Sequence, residues 1–430
     1  MLKYHVNMKP ILNTYLYIEP YVHIEITKNE ALLYNTLNKT HTFFSEKEII
    51  PILKELAKTK NLRLVILNNH KIKAQTAKKF TEVLISNCMG DQLLVEESFQ
   101  NPVQIPPFLK IEEYIPDPRK DSHPIISNSL INLVNELSIF INNDRPPENR
   151  IFFEKASKQY LTIKKDHNNY EEIGLDSIKA CINTFAEHCL NVVNILGGDI
   201  FKHSNFSSIV SYLNILPCWK RYYCYFKDFT EKHYSFINEI DTKSTLHLVF
   251  NNICNERGSI ENLIKLYVSN PNIEYDFYID TFEEIDEFQR LQNLLKFENI
   301  NLFPFYSGDN LDFIETTLTF SEDMVFSADI SMKEILIRGR LNEHFYGKLF
   351  VLSNGMVHSN LNEISLGNIH NNAILKMIFK EVNQTLNWSL TRNNVNPCSL
   401  CLLKSLCPPI SNLELHIKKF NFCNQKFNLI

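Results

Sequence analysis

The sequence predicts an α/β protein: a partial (βα)6 TIM-like barrel between a small N-terminal α+β domain and a C-terminal cysteine-rich domain. Three observations lead there. Between about 150 and 310, apolar runs rich in Val, Ile and aromatics alternate with amphipathic stretches, as parallel βα units do. Before about 110, short strands come first and helices follow. Near the C-terminus four cysteines crowd together, Cys398-x2-Cys401-x5-Cys407 and then Cys423. The 430 residues leave room for two or three domains. The expected divisions are 1–110, a Pro-rich connector over 111–150, the barrel over 151–330 and the cysteine-rich domain over 331–430.

In the first division, Leu16 to Ile26 reads as a β-run with Pro20 at an edge or bend. Ala31 to Leu37 and Thr42 to Phe44 continue it. Ser45 and Glu48 have capping-box spacing, opening a helix with Ile49, Ile50, Leu53, Leu56 and Ala57 on one face. A strand at Leu62 to Leu67 and a helix near 74–89 complete the domain. It is either a plain scaffold or a peptide-docking module whose exposed strand edge takes an added strand. The connector carries Pro at Asn101-Pro, Ile105 to Pro107, Asp117-Pro118 and Arg145 to Pro147, with one helix expected around 126–142.

The barrel strands are expected at Leu190 to Leu196, Tyr222 to Phe226, Thr245 to Phe250, Tyr275 to Ile279 and Leu302 to Tyr306. A sixth uses Ile151 to Phe153 or Tyr160 to Ile163. Helices fall between them near 205–216, 230–239, 258–268 and 281–297. In such folds ligands sit at the C-terminal strand ends. The first of the five strands ends in Gly197-Gly198-Asp199, which permits a sharp turn or a close backbone approach. Later, Lys348 to Ser359 reads as a hairpin around Asn354-Gly355, followed by Leu366 to Ile369.

Composition excludes several classes of function. The net charge of −5 supplies no basic field for nucleic acid or lipid. No run of apolar residues is long enough to span a membrane, and the N-terminus lacks a signal-peptide pattern. A cytoplasmic protein with reduced thiols is expected, where clustered cysteines favour metal over disulfide. Ten glycines argue against glycine-rich phosphate loops. The fourteen histidines show no catalytic zinc spacing, and no G-x-S-x-G occurs. Four thiolates suit zinc or an iron–sulfur cluster equally by ligand type. Cys88, Cys181, Cys189, Cys218, Cys224 and Cys254 are expected to pack cores.

The order of these features carries a resemblance: a doubly glycine-terminated strand, a later hairpin, Leu366-Gly-Asn-Ile369 and the terminal cysteines. Together they resemble a radical S-adenosylmethionine enzyme with a SPASM domain, a type whose members modify ribosomal peptides. By that resemblance Cys398, Cys401, Cys407 and Cys423 match the ligands of an auxiliary [4Fe-4S] cluster, with zinc as the alternative. The departures matter as much. The family's C-x3-C-x2-C, which follows the first barrel strand and leaves one iron open to the cosubstrate, is absent from the chain. Residues 150–172, where it was expected, hold no cysteine. Asp199-Ile200 stands where Glu-Pro is usual. His358 or Ser359, and Ser411, stand where the other auxiliary cluster needs ligands.

That combination resembles the pseudo-radical-SAM proteins of Bacteroidetes peptide-maturation systems. It is borne by Cys407-Pro-Pro-Ile-Ser-Asn-x-Glu414, by Tyr17 to Tyr21 and by Leu32 to Leu37. The resemblance implies a non-radical companion that binds a double-glycine precursor peptide, an active radical maturase, or both. It implies no S-adenosylmethionine and no catalytic residue. The competing expectation is an enzyme acting on a peptide at the barrel mouth, with Asp199, Asp228, Asp276 and Asp280 as its acids.

Overall fold

The computed structural model describes residues 14–67, 72–94, 128–143, 150–162, 170–267, 270, 272–296 and 298–423. The prolines expected at 101–107, 117–118 and 145–147 lie outside the described residues, as does the boundary near 110.

Pro20 divides the first β-run between two sheets. β1 (Thr14–Ile18) is central in an antiparallel sheet, between β5 (Leu64–Ile66) and β6 (Gly90–Leu94). β2 (Val22–Ile26), β3 (Ala31–Asn35) and β4 (His41–Phe44) form the other. Leu16, Ile18, Val22 and Leu33 meet α1 (Ile49–Leu56) and α2 (Ala74–Ser86) in one core. The expected capping box does not form: Glu48 is itself the N-cap of α1 and makes no side-chain cap bond there. Its carboxylate instead accepts from the backbone N–H of Lys73, 3.1 Å away, tying the start of α1 to that of α2.

The dominant element is a mixed nine-stranded sheet. Its order is β12-β11-β10-β9-β8-β7-β13-β14-β15. The strands are β7 (Glu136–Phe140), β8 (Val192–Leu196), β9 (Trp219–Tyr225), β10 (Ser244–Phe250), β11 (Ile273–Ile279) and β12 (Ile300–Pro304), then β13 (Lys348–Val351), β14 (Met356–His358) and β15 (Gly367–Asn368). β7 to β12 are parallel neighbours in chain order, and β13 joins β7 in parallel. β13, β14 and β15 are antiparallel, turning at Gly355, whose φ of +80° favours glycine. Buried Leu, Val, Ile, Tyr and Phe fill the parallel strands on both faces, as strands covered on both sides require.

Three expectations are corrected here. The helix around 126–142 is instead a 3₁₀ turn (Asn128–Leu133) followed by β7. Leu137, Ser138 and Ile139 are buried from both sides, and a short apolar run of this kind does not reveal its own period. The sixth strand is therefore β7. Ile151 to Phe153 lie in helix α3 (Arg150–Gln159). The sheet also crosses the expected divisions, taking β7 from the connector and β13–β15 from the cysteine-rich region.

The helices expected between strands are α5 (Phe206–Asn214), α6 (Phe236–Glu239), α7 (Ile253–Tyr267) and α8 (Phe282–Leu295), and α4 (Leu175–Ala186), between β7 and β8, adds one that was not expected. They cover one face: Phe236 meets Tyr222 at 5.2 Å and Phe288 meets Phe277 at 5.1 Å. The C-terminal part adds α9 (Leu311–Leu318), α10 (Glu322–Ser327), α11 (Met332–Arg338), α12 (Ile374–Lys380) and α13 (Asn412–Ile417). Cys181, Cys218 and Cys224 are buried, but Cys88, Cys189 and Cys254 are exposed, so core packing accounts for only half of the scattered cysteines. No helix among the described residues is long and apolar enough to cross a membrane.

Candidate metal centre

The loop after a 3₁₀ turn (Arg392–Asn394), the loop before α13 and the segment after α13 deliver four thiols to one cavity. Cys398, Cys401, Cys407 and Cys423 all line it, with Phe320, Val325, Phe420 and Phe422 as its apolar wall. Cys398 opens a 3₁₀ turn and Cys401 ends it. Cys423 is placed by a single parallel bridge to Phe320, in which the Phe320 N–H donates to the Phe422 carbonyl at 2.9 Å.

One buried arginine organises the cavity. The Arg392 guanidinium donates to Pro408 O (2.6 Å), to Phe420 O (2.8 Å) and to Glu414 Oε1 (3.1 Å). It also reaches Cys398 Sγ at 3.6 Å. It thus ties the strand of chain after Cys407, helix α13 and the approach to Cys423 into one unit. Glu414 has a second task, since it closes a capping box with Ser411 at the start of α13. The Leu403 N–H points at Cys401 Sγ, 3.3 Å away. A guanidinium and an N–H aimed at sulfur stabilise thiolate over thiol. Burial works the other way, pushing Cys401 up to about 11 and Cys407 up to about 12. Burial thus favours the neutral thiol at Cys401 and Cys407, and a bound cation would compensate the thiolate charge.

The donor set fits a group held by thiolates. Among the described residues, the one set of three or more potential ligand atoms within 4.8 Å of one another is His247, Glu274 and Asp276. No three of the four sulfurs are that close. Tetrahedral zinc, with Zn–S near 2.3 Å, needs sulfurs about 3.8 Å apart. The four thiols line one cavity, and by donor type they suit zinc or a cluster. A cluster there would be ligated by protein at every iron, supplying structural cross-linking and one-electron redox capacity.

The cysteine loop is also where the N-terminal module rests. Leu32 and Tyr34 of β3 pack with Leu402, Leu403 and Leu406, and Cys401 and Cys407 border that cluster. The imidazole of His41 stacks on Phe326 at 3.6 Å. Glu25 accepts from Ser405 Oγ (2.5 Å) and pairs with Lys404 (3.2 Å). Burial alone would raise the Glu25 carboxyl, but His23, Lys404 and Ser405 outweigh it and hold it below the usual value.

The two positions expected to have lost a cluster ligand have structural employment. Ser359 is buried and donates to Glu381 at 2.5 Å while accepting from Asn387 at 2.9 Å. Ser411 caps α13.

The C-terminal ends of the parallel strands are filled by the chain itself. Helix α3 lies on the face opposite α6 and α8. Phe152 packs on Tyr278 (5.5 Å) and Phe305 (5.1 Å), and Phe153 packs on Tyr225 (5.1 Å). Tyr160 follows, against Tyr278 and Phe303. Gln159 and Tyr306 exchange two bonds of 2.9 Å, which fix the end of α3 to the chain beyond β12. The Gly197-Gly198 turn belongs to the same construction. Asn142 accepts from the Gly198 N–H (2.9 Å) and donates to Asp199 O (2.7 Å). A Cβ on Gly197 would lie 2.3 Å from Asn142 Oδ1, so the glycine admits the asparagine.

The four candidate acids do not all converge, but Asp199 and Asp228 are neighbours: burial and then the Asp228 charge raise the Asp199 carboxyl. Asp199 caps a 3₁₀ turn through Phe201 N. Asp280 sits beside Glu284, whose carboxyl is pushed up by burial, with the Asp280 charge adding to the effect. Glu284 spends both oxygens on backbone N–H groups, those of Ile253 and Asp280, each at 3.0 Å. That pair is a loop clamp. Asp228 lies in the turn after β9, and Asp276 lines a cavity lower on the sheet.

No protein-family model matches the chain. No curated protein matches it in sequence. Among solved structures, a crystal structure of Streptococcus suis SuiB bound to S-adenosylmethionine aligns at 13% identity with a TM-score of 0.47, over 94% of this chain and 97% of that one. At that score the likeness is loose and carries no argument.

Proposed function

We propose that this protein is a non-radical companion in ribosomal peptide maturation. In this reading the sheet is a degenerate six-stranded half-barrel, and the cysteine centre holds one auxiliary-type [4Fe-4S] cluster for structure. The partners are a precursor peptide, a radical maturase, or both. The observation that carries the reading is helix α3. Ligands of parallel βα folds sit at the C-terminal strand ends, and here Phe152 and Phe153 fill that place. The segment after β7, where a radical enzyme of the resembling family needs three thiolates, has no cysteine between residues 141 and 172. A cosubstrate lacks both its iron and its room.

Peptide recognition then falls to other surfaces. The edge strand β4 is partly exposed, with Phe43 47% accessible, and sits beside the cysteine loop through Phe326. An added strand along β4 would read backbone and alternate side chains, and would sense the cysteine centre through β3. The test is anaerobic calorimetry of the cluster-loaded protein with a double-glycine precursor peptide and a radical maturase taken from the same genome. Binding to either supports the reading. No measurable heat with both, confirmed by co-elution, overturns it.

A further inference from the structure

We propose that the lower half of the sheet's inner face is a second metal site, unrelated to the cysteines. It binds a first-row divalent cation through His247, Glu274 and Asp276. The strands place these groups by register: His247 of β10 pairs with Glu274 of β11, and Asp276 follows two residues later on the same face. His247 Nδ1 lies 3.0 Å from Asp276 Oδ2 and 3.7 Å from Glu274 Oε2. Ligand atoms around an ion with bonds of about 2.1 Å sit about 3 Å apart when adjacent, which this trio matches. Nitrogen and carboxylate donors without sulfur suit manganese, iron(II) or zinc.

A hydrogen-bonded histidine–aspartate pair explains part of the arrangement. Two observations exceed it. The first is charge: Asn301 bridges both carboxylates through one amide nitrogen, at 2.9 Å to Glu274 and 2.8 Å to Asp276. Two carboxylates are thus drawn together around a single neutral amide, where a dication compensates both. The second is Tyr223, 4% exposed and stacked on the His247 ring at 4.5 Å. Its hydroxyl has no hydrogen-bond partner among the described residues, yet Tyr223 lines a cavity of about 490 Å³ together with all three ligands. A metal-bound water or anion in that cavity satisfies the hydroxyl. Arg221 lines the same space and forms no ion pair among the described residues, so the open coordination positions favour an anionic group. Thr245 Oγ1, 3.4 Å from His247 Nε2, stands where an outer partner orients a ligating imidazole.

The probe is manganese(II) alone, titrated into the anaerobically purified, cluster-loaded protein and followed by loss of the free-ion EPR signal. About one manganese per chain is expected, with affinity falling at least about tenfold in Asp276→Asn and in Glu274→Gln. Iron and sulfide content is read on the same samples and is expected to be unchanged, since the cysteine site is separate. Glu274 is partly exposed, so Glu274→Gln decides the question if Asp276→Asn does not fold. Failure to bind manganese at millimolar concentration, or binding equal in wild type and Glu274→Gln, overturns the proposal.

Discussion

Two regions of the molecule are built from opposite materials. At the C-terminal ends of β9 to β12, aromatic rings from α3 close the space. At the C-terminal cavity, four thiols, an arginine and an aimed N–H leave the space lined for a guest. The first region gains packing and loses chemistry. The second keeps polar groups buried, which is costly unless something compensates them. The difference teaches that one region is packed as core while the other is lined with polar groups, and the polar one is wired to the N-terminal module through Leu32, Tyr34 and Glu25.

The sharpest way to break this comparison is to remove a thiol. Cys407→Ser is expected to abolish iron and sulfide loading and to loosen the contact between β3 and the cysteine loop. Structural metal sites contribute on the order of 10 kcal/mol to folding, so partial proteolysis should show the loss plainly. Full iron content in this variant would remove Cys407 from the centre. The next test is on the filled side. Phe153→Ala leaves a cavity beneath Tyr225 and should cost about 3–5 kcal/mol in urea unfolding. A cost under about 1 kcal/mol would mean that α3 only rests on the strand ends. The smallest effect concerns pH. Glu25 is held below its usual value when folded, so its contribution is present above the unfolded carboxyl range and is lost as pH falls through the folded value. Glu25→Gln should cost about 1.5–3 kcal/mol at neutral pH and remove that part of the acid sensitivity. Identical acid unfolding curves for the two proteins would separate Glu25 from the docking.

Much of the fold was legible because β8 to β12 are apolar runs flanked by turn residues, and their helices have clear periods. β7 was not, because Asn135, Glu136 and Ser138 interrupt its apolar residues at spacings a helix also allows. Phe152 and Phe153 misled in the other direction: aromatics favour strands locally, but here they serve a helix that plugs a sheet. The four cysteines were legible by spacing alone. Arg392 was not, since nothing local links it to Glu414, which is 22 positions away. Ser411-x-x-Glu414 was visible as a cap, but its tie to the cavity depends on tertiary packing. His247 and Glu274 were missed, and Asp276 was read only as a strand-end acid, for a related reason. Polar residues at alternate positions of buried strands signal a polar inner face, but only strand pairing shows which of them meet.

The central claim is that the cysteine centre is loaded while the strand ends are closed. Iron, acid-labile sulfide and zinc measured on anaerobically purified protein test it most directly. The account predicts a brown protein with about four irons and about four sulfides per chain. A colourless protein carrying about one zinc and no sulfide would contradict it.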